Sequence, residues 1–92
     1  MSVEIQFRGP LAAKTGIASY HVAIIEGDSL RKTLQSLIES EDTVKEAWTD
    51  IERIDREALI LRNEVDVGLI EGIDTILADG DKLVILPLVH GG

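Results

Sequence analysis

Leu77-Ala78-Asp79-Gly80-Asp81-Lys82-Leu83-Val84-Ile85-Leu86-Pro87-Leu88-Val89-His90-Gly91-Gly92 is the stretch on which the reading of this chain turns. Asp79-Gly80-Asp81 predicts a turn, because glycine tolerates the left-handed backbone that such bends often need. The run from Lys82 to Leu88 is rich in Leu, Val and Ile, the composition of a central strand rather than an edge. Pro87 has no N–H to donate, which fits a place where ladder pairing ends. Two bare glycines then finish the sequence. A terminus of this kind can be no more than a frayed tail, and the remaining residues decide whether that reading survives.

Ninety-two residues suit one domain. A chain of this size buries about 60–65% of the surface its unfolded form exposes, so its core has to be economical. Apolar residues make up 45% of it, with one Phe, one Trp and one Tyr, so the filling must be aliphatic. The absence of cysteine excludes disulfides, thiolate metal sites and a nucleophilic thiol. The start, MSVEIQFRGP, lacks the basic-then-apolar layout of a signal peptide, and the apolar runs are too short to span a bilayer. A cytoplasmic protein with no membrane association is the expectation. Seventeen acidic residues against nine basic ones give a formal charge of −8. Phosphate backbones repel such a surface, so nucleic acid is not an expected partner. The acidity suits a protein partner with a basic docking face, or simply keeps a small protein soluble.

Upstream of the closing stretch, Val3, Ile5 and Phe7 alternate with Glu4, Gln6 and Arg8, the period-2 pattern of a half-buried strand. Gly9-Pro10 ends it, and a second strand is expected in SYHVAII, with Tyr20, Val22 and Ile24 on one face. Asp28 or Ser29 can cap the helix that follows, whose stripe is Leu30, Leu34, Leu37 and Ile38. Thr43 and Glu46 have capping-box spacing, and Val44, Ala47, Trp48 and Ile51 predict a short second helix. Trp48 is expected to cover one edge of the core, with ligand stacking as the alternative. A third strand runs from Ala58 to Leu61 and turns at Arg62-Asn63-Glu64 into Val65-Asp66-Val67. LIEGIDTIL after Gly68 reads as irregular or as one tight helical turn. The order β-β-α-(α)-β-β-(turn)-β predicts an α+β domain with the helix packed on one face of a mixed sheet.

Catalytic material is scarce. His21 reads as a surface residue, and no H-x-x-x-H or H-E-x-x-H spacing offers a metal site. No serine sits in a G-x-S-x-G turn. The pairs Glu41/Asp42 and Asp79/Asp81 are better read as cap and turn residues than as an acid–base couple. Gly9-Pro10 and Gly68…Gly72 lack phosphate-loop spacing. An independent enzyme is therefore not expected, and the reactive group left is the terminal carboxylate. It is inert until converted to a mixed anhydride, after which sulfur or an amine can capture it. Glycines without Cβ suit a tail that must enter another protein's narrow active site.

The chain resembles the ubiquitin-like β-grasp proteins, and within them the MoaD/ThiS group of sulfur carriers with their archaeal small-modifier and ubiquitin-related modifier relatives. The resemblance rests on the opening hairpin, the helix at 29–39, ILRNEVDV, and above all L-x-D-G-D-x-L-x-I-x-P-x-x-x-G-G from Leu77 to Gly92. It implies a single β-grasp domain over 1–92, with 87–92 as an exposed tail and the last strand central. It also implies that Gly92 carries the chemistry and that Gly91 is needed to thread the tail. An E1-like activating enzyme, a separate adenylyltransferase using MgATP, would adenylate Gly92, with no cofactor bound to the chain itself. The product would become a thiocarboxylate, the chain serving as the small subunit of molybdopterin synthase beside its large subunit; the alternative is a modifier joined to protein lysines through Gly92, with tRNA thiolation or thiamine sulfur transfer as further routes. Val89-His90 departs from the P-V-S/A-G-G form of molybdopterin-type carriers, and His-Gly-Gly looks more like the modifier branch, whereas Pro87 is carrier-like. If the last strand alternates as in relatives, Leu83 and Ile85 face the core. Val84 and Leu86 then face outward, and with Pro87, Leu88, Val89 and His90 they make a partner-binding patch, unless a loop or helix covers it. Lys14 and Lys82 are possible acceptors for chain formation, or simply exposed lysines. A plain interaction module with an accidental Gly-Gly is the remaining reading.

Overall fold

Val3, Ile5 and Phe7 all point to the buried side of strand β1 (Ser2–Phe7), and Glu4 and Gln6 to the other. The computed structural model describes residues 1–9, 12–13, 16, 18–48 and 50–87; Pro10, Lys14 and residues 88–92 lie outside the described residues. Strand β2 (Ser19–Ala23) pairs antiparallel with β1, Ile5 opposite Tyr20 and Val3 opposite Val22. His21 is exposed, as its side of the strand required.

Strands β3 (Ala58–Arg62), β4 (Val65–Asp66) and β5 (Lys82–Pro87) complete a sheet of order β2-β1-β5-β3-β4. Strand β5 lies at its centre, parallel to β1 from Glu4/Lys82 to Phe7/Ile85 and antiparallel to β3 from Ala58/Pro87 to Arg62/Leu83. Its side chains are apolar on both faces, with Leu83 and Ile85 buried on one and Val84 and Leu86 half-buried on the other. Pro87 is the last strand residue, where a missing N–H costs no further ladder bond.

Helix α1 (Leu30–Ser40) lies across one face. Ser29 is its N-cap: the Ser29 Oγ accepts from the Lys32 N–H at 3.1 Å. Asp28 instead accepts from the Ile25 N–H at 3.0 Å in the preceding turn and pairs with Lys32. Leu30, Thr33, Leu34, Leu37 and Ile38 are buried, the expected stripe with one hydroxyl added. Thr33 satisfies that hydroxyl by donating to the Ser29 carbonyl at 2.9 Å, so its burial leaves no polar atom stranded. Each large aliphatic side chain sealed under this helix contributes about 1.5–3 kcal/mol.

The second helix departs from expectation. Two short helices occupy the region, α2 (Asp42–Ala47) and α3 (Ile51–Glu57), and Trp48 ends the first. Glu41, not Thr43, is the cap residue of α2 and makes no side-chain capping bond, so no capping box forms. Six residues cannot form a stable helix alone, and burial of Val44 and Ala47 holds this one. Ile51 belongs to α3, where the Asp50 carboxylate accepts from the Arg53 N–H at 2.9 Å. Trp48 is 1% exposed and lies within the core rather than over its edge, its ring 5.8 Å from that of Phe7. A ring so enclosed is not offered to a ligand. Val67 starts a 3-10 turn instead of extending β4, and a second such turn covers Gly72–Asp74.

Candidate functional site

Three residues before β5 set its position. At Gly80, φ is 82°, the left-handed backbone for which glycine is suited. The Gly80 N–H donates to the Ser2 carbonyl at 2.8 Å and the Glu4 N–H to the Asp81 carbonyl at 3.0 Å, which locks the turn to the start of β1. The Ser2 N–H donates to Asp79 Oδ1 at 2.9 Å. Asp81 is buried, and its carboxylate accepts from the Ala78 N–H (2.7 Å), Arg62 Nε (2.8 Å) and Asn63 Nδ2 (2.9 Å). Burial pushes the Asp81 carboxyl up, but the bonds from Ala78, Arg62 and Asn63 outweigh it and hold the group below the usual carboxylate range. Asn63 in turn exchanges two bonds with Lys82, N–H to carbonyl at 2.8 Å and Oδ1 from the Lys82 N–H at 2.9 Å. Asp79 and Asp81 are therefore turn and clip residues, and β5 is held at its first residue from both neighbouring strands.

Beyond that clip the strand alternates. Leu83 and Ile85 are fully buried beneath α1, while Val84 and Leu86 are half-buried on the opposite face. There they line an open groove of about 350 Å³ with Leu61, Arg8, Lys82 and Glu64. The same face is polar over β1 and β2: Gln6 donates to Glu4 at 2.7 Å, Arg8 to Gln6 at 2.8 Å and Ser19 to Glu4 at 3.1 Å. The hydrogen bonds from Gln6 and Ser19 hold the Glu4 carboxyl below its ordinary value. One half of the outer face is thus an interlinked polar surface, and the half nearest the tail is apolar with charged margins.

Sequence reasoning located Val84 and Leu86 but not Leu61, Arg8 or Glu64 beside them. A signal existed for Leu61: Ala58-Leu59-Ile60-Leu61 is apolar at every position, so both faces of β3 had to be apolar. Leu88, Val89, His90, Gly91 and Gly92 fall outside the described residues; β5 delivers the chain to them through Pro87, which pairs with Ala58. Lys82 is exposed. Among the described residues no group of three His, Cys, Asp or Glu side chains could hold a metal ion, and no helix is long and apolar enough to cross a membrane.

A family model described as the ThiS family matches residues 6–92. No curated protein matches the sequence. Among solved structures, CysO of Mycobacterium tuberculosis is 28% identical, with 95% of this chain and 99% of that one covered and a TM-score of 0.71. The complex of subunits 1 and 2 of the molybdopterin-converting factor of Helicobacter pylori contains a chain 25% identical, covered completely on both sides, at a TM-score of 0.63. SAMP1 of Haloferax volcanii, at 20% identity, full mutual coverage and a TM-score of 0.77, shares the fold. With the model match running across every strand but the first residues of β1, through the glycine pair, the chain belongs to the ThiS family of ubiquitin-like β-grasp carriers and modifiers.

Proposed function

We propose that this protein is a sulfur carrier that presents the Gly92 carboxylate to an E1-like adenylating enzyme. The observation that carries this reading is the family match, which spans residues 6–92 and so takes in the strand Lys82–Pro87 and the Gly91-Gly92 pair. A Gly92 carboxylate oxygen attacks the α-phosphorus of MgATP on that enzyme, pyrophosphate leaves, and an acyl-adenylate forms. Hydrosulfide then adds at the carbonyl carbon, AMP departs, and a thiocarboxylate with one oxygen replaced by sulfur remains. Val84, Leu86 and Pro87, with Leu88, Val89 and His90, dock against the enzyme, and Gly91 lets the tail enter its active site. The acceptor is a molybdopterin precursor held by a large synthase subunit; a similar chain of the molybdopterin-converting factor is found complexed with its second subunit.

A second reading, supported by the His90-Gly91-Gly92 ending, is a modifier joined to protein lysines through Gly92. Intact-mass analysis of the protein from its native cell separates the two. A species with sulfur in place of one terminal oxygen is expected for the carrier. Gly-Gly remnants on lysines of other proteins, without any such species, would replace the carrier reading with the modifier. Removing Gly91 and Gly92 should abolish either product without altering the unfolding midpoint.

A further inference from the structure

The turn joining β3 to β4 contains two non-glycine residues of positive φ, Asn63 at 48° and Glu64 at 73°. Asn63 has a local reason to be there. Asparagine visits the left-handed region readily, and the side chain bonds both Asp81 and Lys82. Glu64 has none. It occupies the turn position that glycine takes in tight hairpins, is exposed, and makes no hydrogen bond or ion pair among the described residues. Strain retained without a local partner calls for a role elsewhere.

Its position supplies one. Glu64 lines the outer-face groove whose apolar floor is Leu61, Val84 and Leu86 and whose other charged residues are Arg8 and Lys82. A chain of net charge −8 suits a partner with a basic docking surface. Two cations in this groove would repel such a surface, and the Glu64 carboxylate is the counter-charge that admits it. Resting on the proposed function above, we infer that Glu64 is a specificity-determining residue for docking, pairing with a basic side chain of the adenylating enzyme while the groove floor takes up its apolar contact. The chain accepts a strained backbone to keep a carboxylate at that point.

The test is ATP–pyrophosphate exchange by the E1-like enzyme of the same genome, with the unaltered chain, Glu64→Gln and Glu64→Gly. Both variants should raise the KM for the chain about two- to fivefold, the range of a single partly exposed ion pair, with the loss falling on KM rather than kcat. Both should also flatten the rise of KM with salt, a readout that a purely structural residue would leave unmoved. Glu64→Gly should in addition raise the urea midpoint, and Glu64→Gln should leave it in place; a midpoint that does not rise in Glu64→Gly would remove the strain argument. Exchange by the unaltered chain with KM and salt dependence unchanged in both variants would overturn this inference alone. No exchange with the unaltered chain would overturn the proposed function and this inference with it.

Discussion

Strand β5 offers nearly the same chemistry to two different surroundings. Leu83 and Ile85 are 0% exposed beneath α1, whereas Val84 and Leu86, one residue along, lie half-buried in an open groove. Side-chain hydrophobicity does not separate the two pairs; the placement of one helix does. Apolar residues on the covered face stabilise the sheet, and apolar residues on the open face are kept at some risk of association. Under the proposed function they are the surface that meets the adenylating enzyme. The polar network of Glu4, Gln6, Arg8 and Ser19 on the same open face shows that the sheet could have been made hydrophilic there as well.

The largest contrast should come from truncating the two faces in turn. Ile85→Ala is expected to cost about 3–4 kcal/mol in urea unfolding, because the close-packed core cannot collapse fully around the lost atoms. Next comes the clip that sets the strand: Asp81→Asn should cost about 2–3 kcal/mol, since it weakens a buried charge-assisted network around Arg62. The sign of its pH dependence follows from the lowered pKa. The stabilisation is complete above the unfolded-state value of about 3.9 and disappears as pH falls through the folded-state value below it. The unaltered protein should therefore lose more stability than Asp81→Asn between neutral pH and about pH 3, as read from thermal midpoints. Leu86→Ala should have the smallest effect on folding, under about 1 kcal/mol, while weakening adenylation. A cost for Leu86→Ala equal to that for Ile85→Ala would erase the distinction between the faces.

Where the sequence was legible, the signal was local and repeated. The stripe of α1 and its Ser29 cap, the alternation in β1 and the apolar run of β5 each report on neighbours a few residues away, and each formed as expected. The stretch from Thr43 to Ile51 reads as one helix because Thr43 and Glu46 imitate a capping box, while the actual start of α2 depends on burial of Val44 and Ala47 in a distant core. A better signal lay at Asp50, with Ile51 and Ile54 three apart behind it and an Arg53–Glu57 pair on the exposed side. The Asp81 clip was illegible as a clip because its partners Arg62 and Asn63 are 19 and 18 residues away. The groove was half legible for the same reason: β5 announced Val84 and Leu86, but the strand register brings Leu61 opposite Val84 and sets Glu64 close by. The tail glycines were legible only as chemistry by elimination and as a family pattern.

The parallel pairing of β1 with β5 joins residues 4–7 to residues 82–85, almost the whole chain apart. Without β5, the β1–β2 and β3–β4 pairs are two separate hairpins with no ladder between them. During synthesis the sheet therefore has no centre until the strand that leads into the tail has left the ribosome. The keystone of the domain and the mount of its proposed reactive terminus are one segment, so a chain cut short before it holds neither.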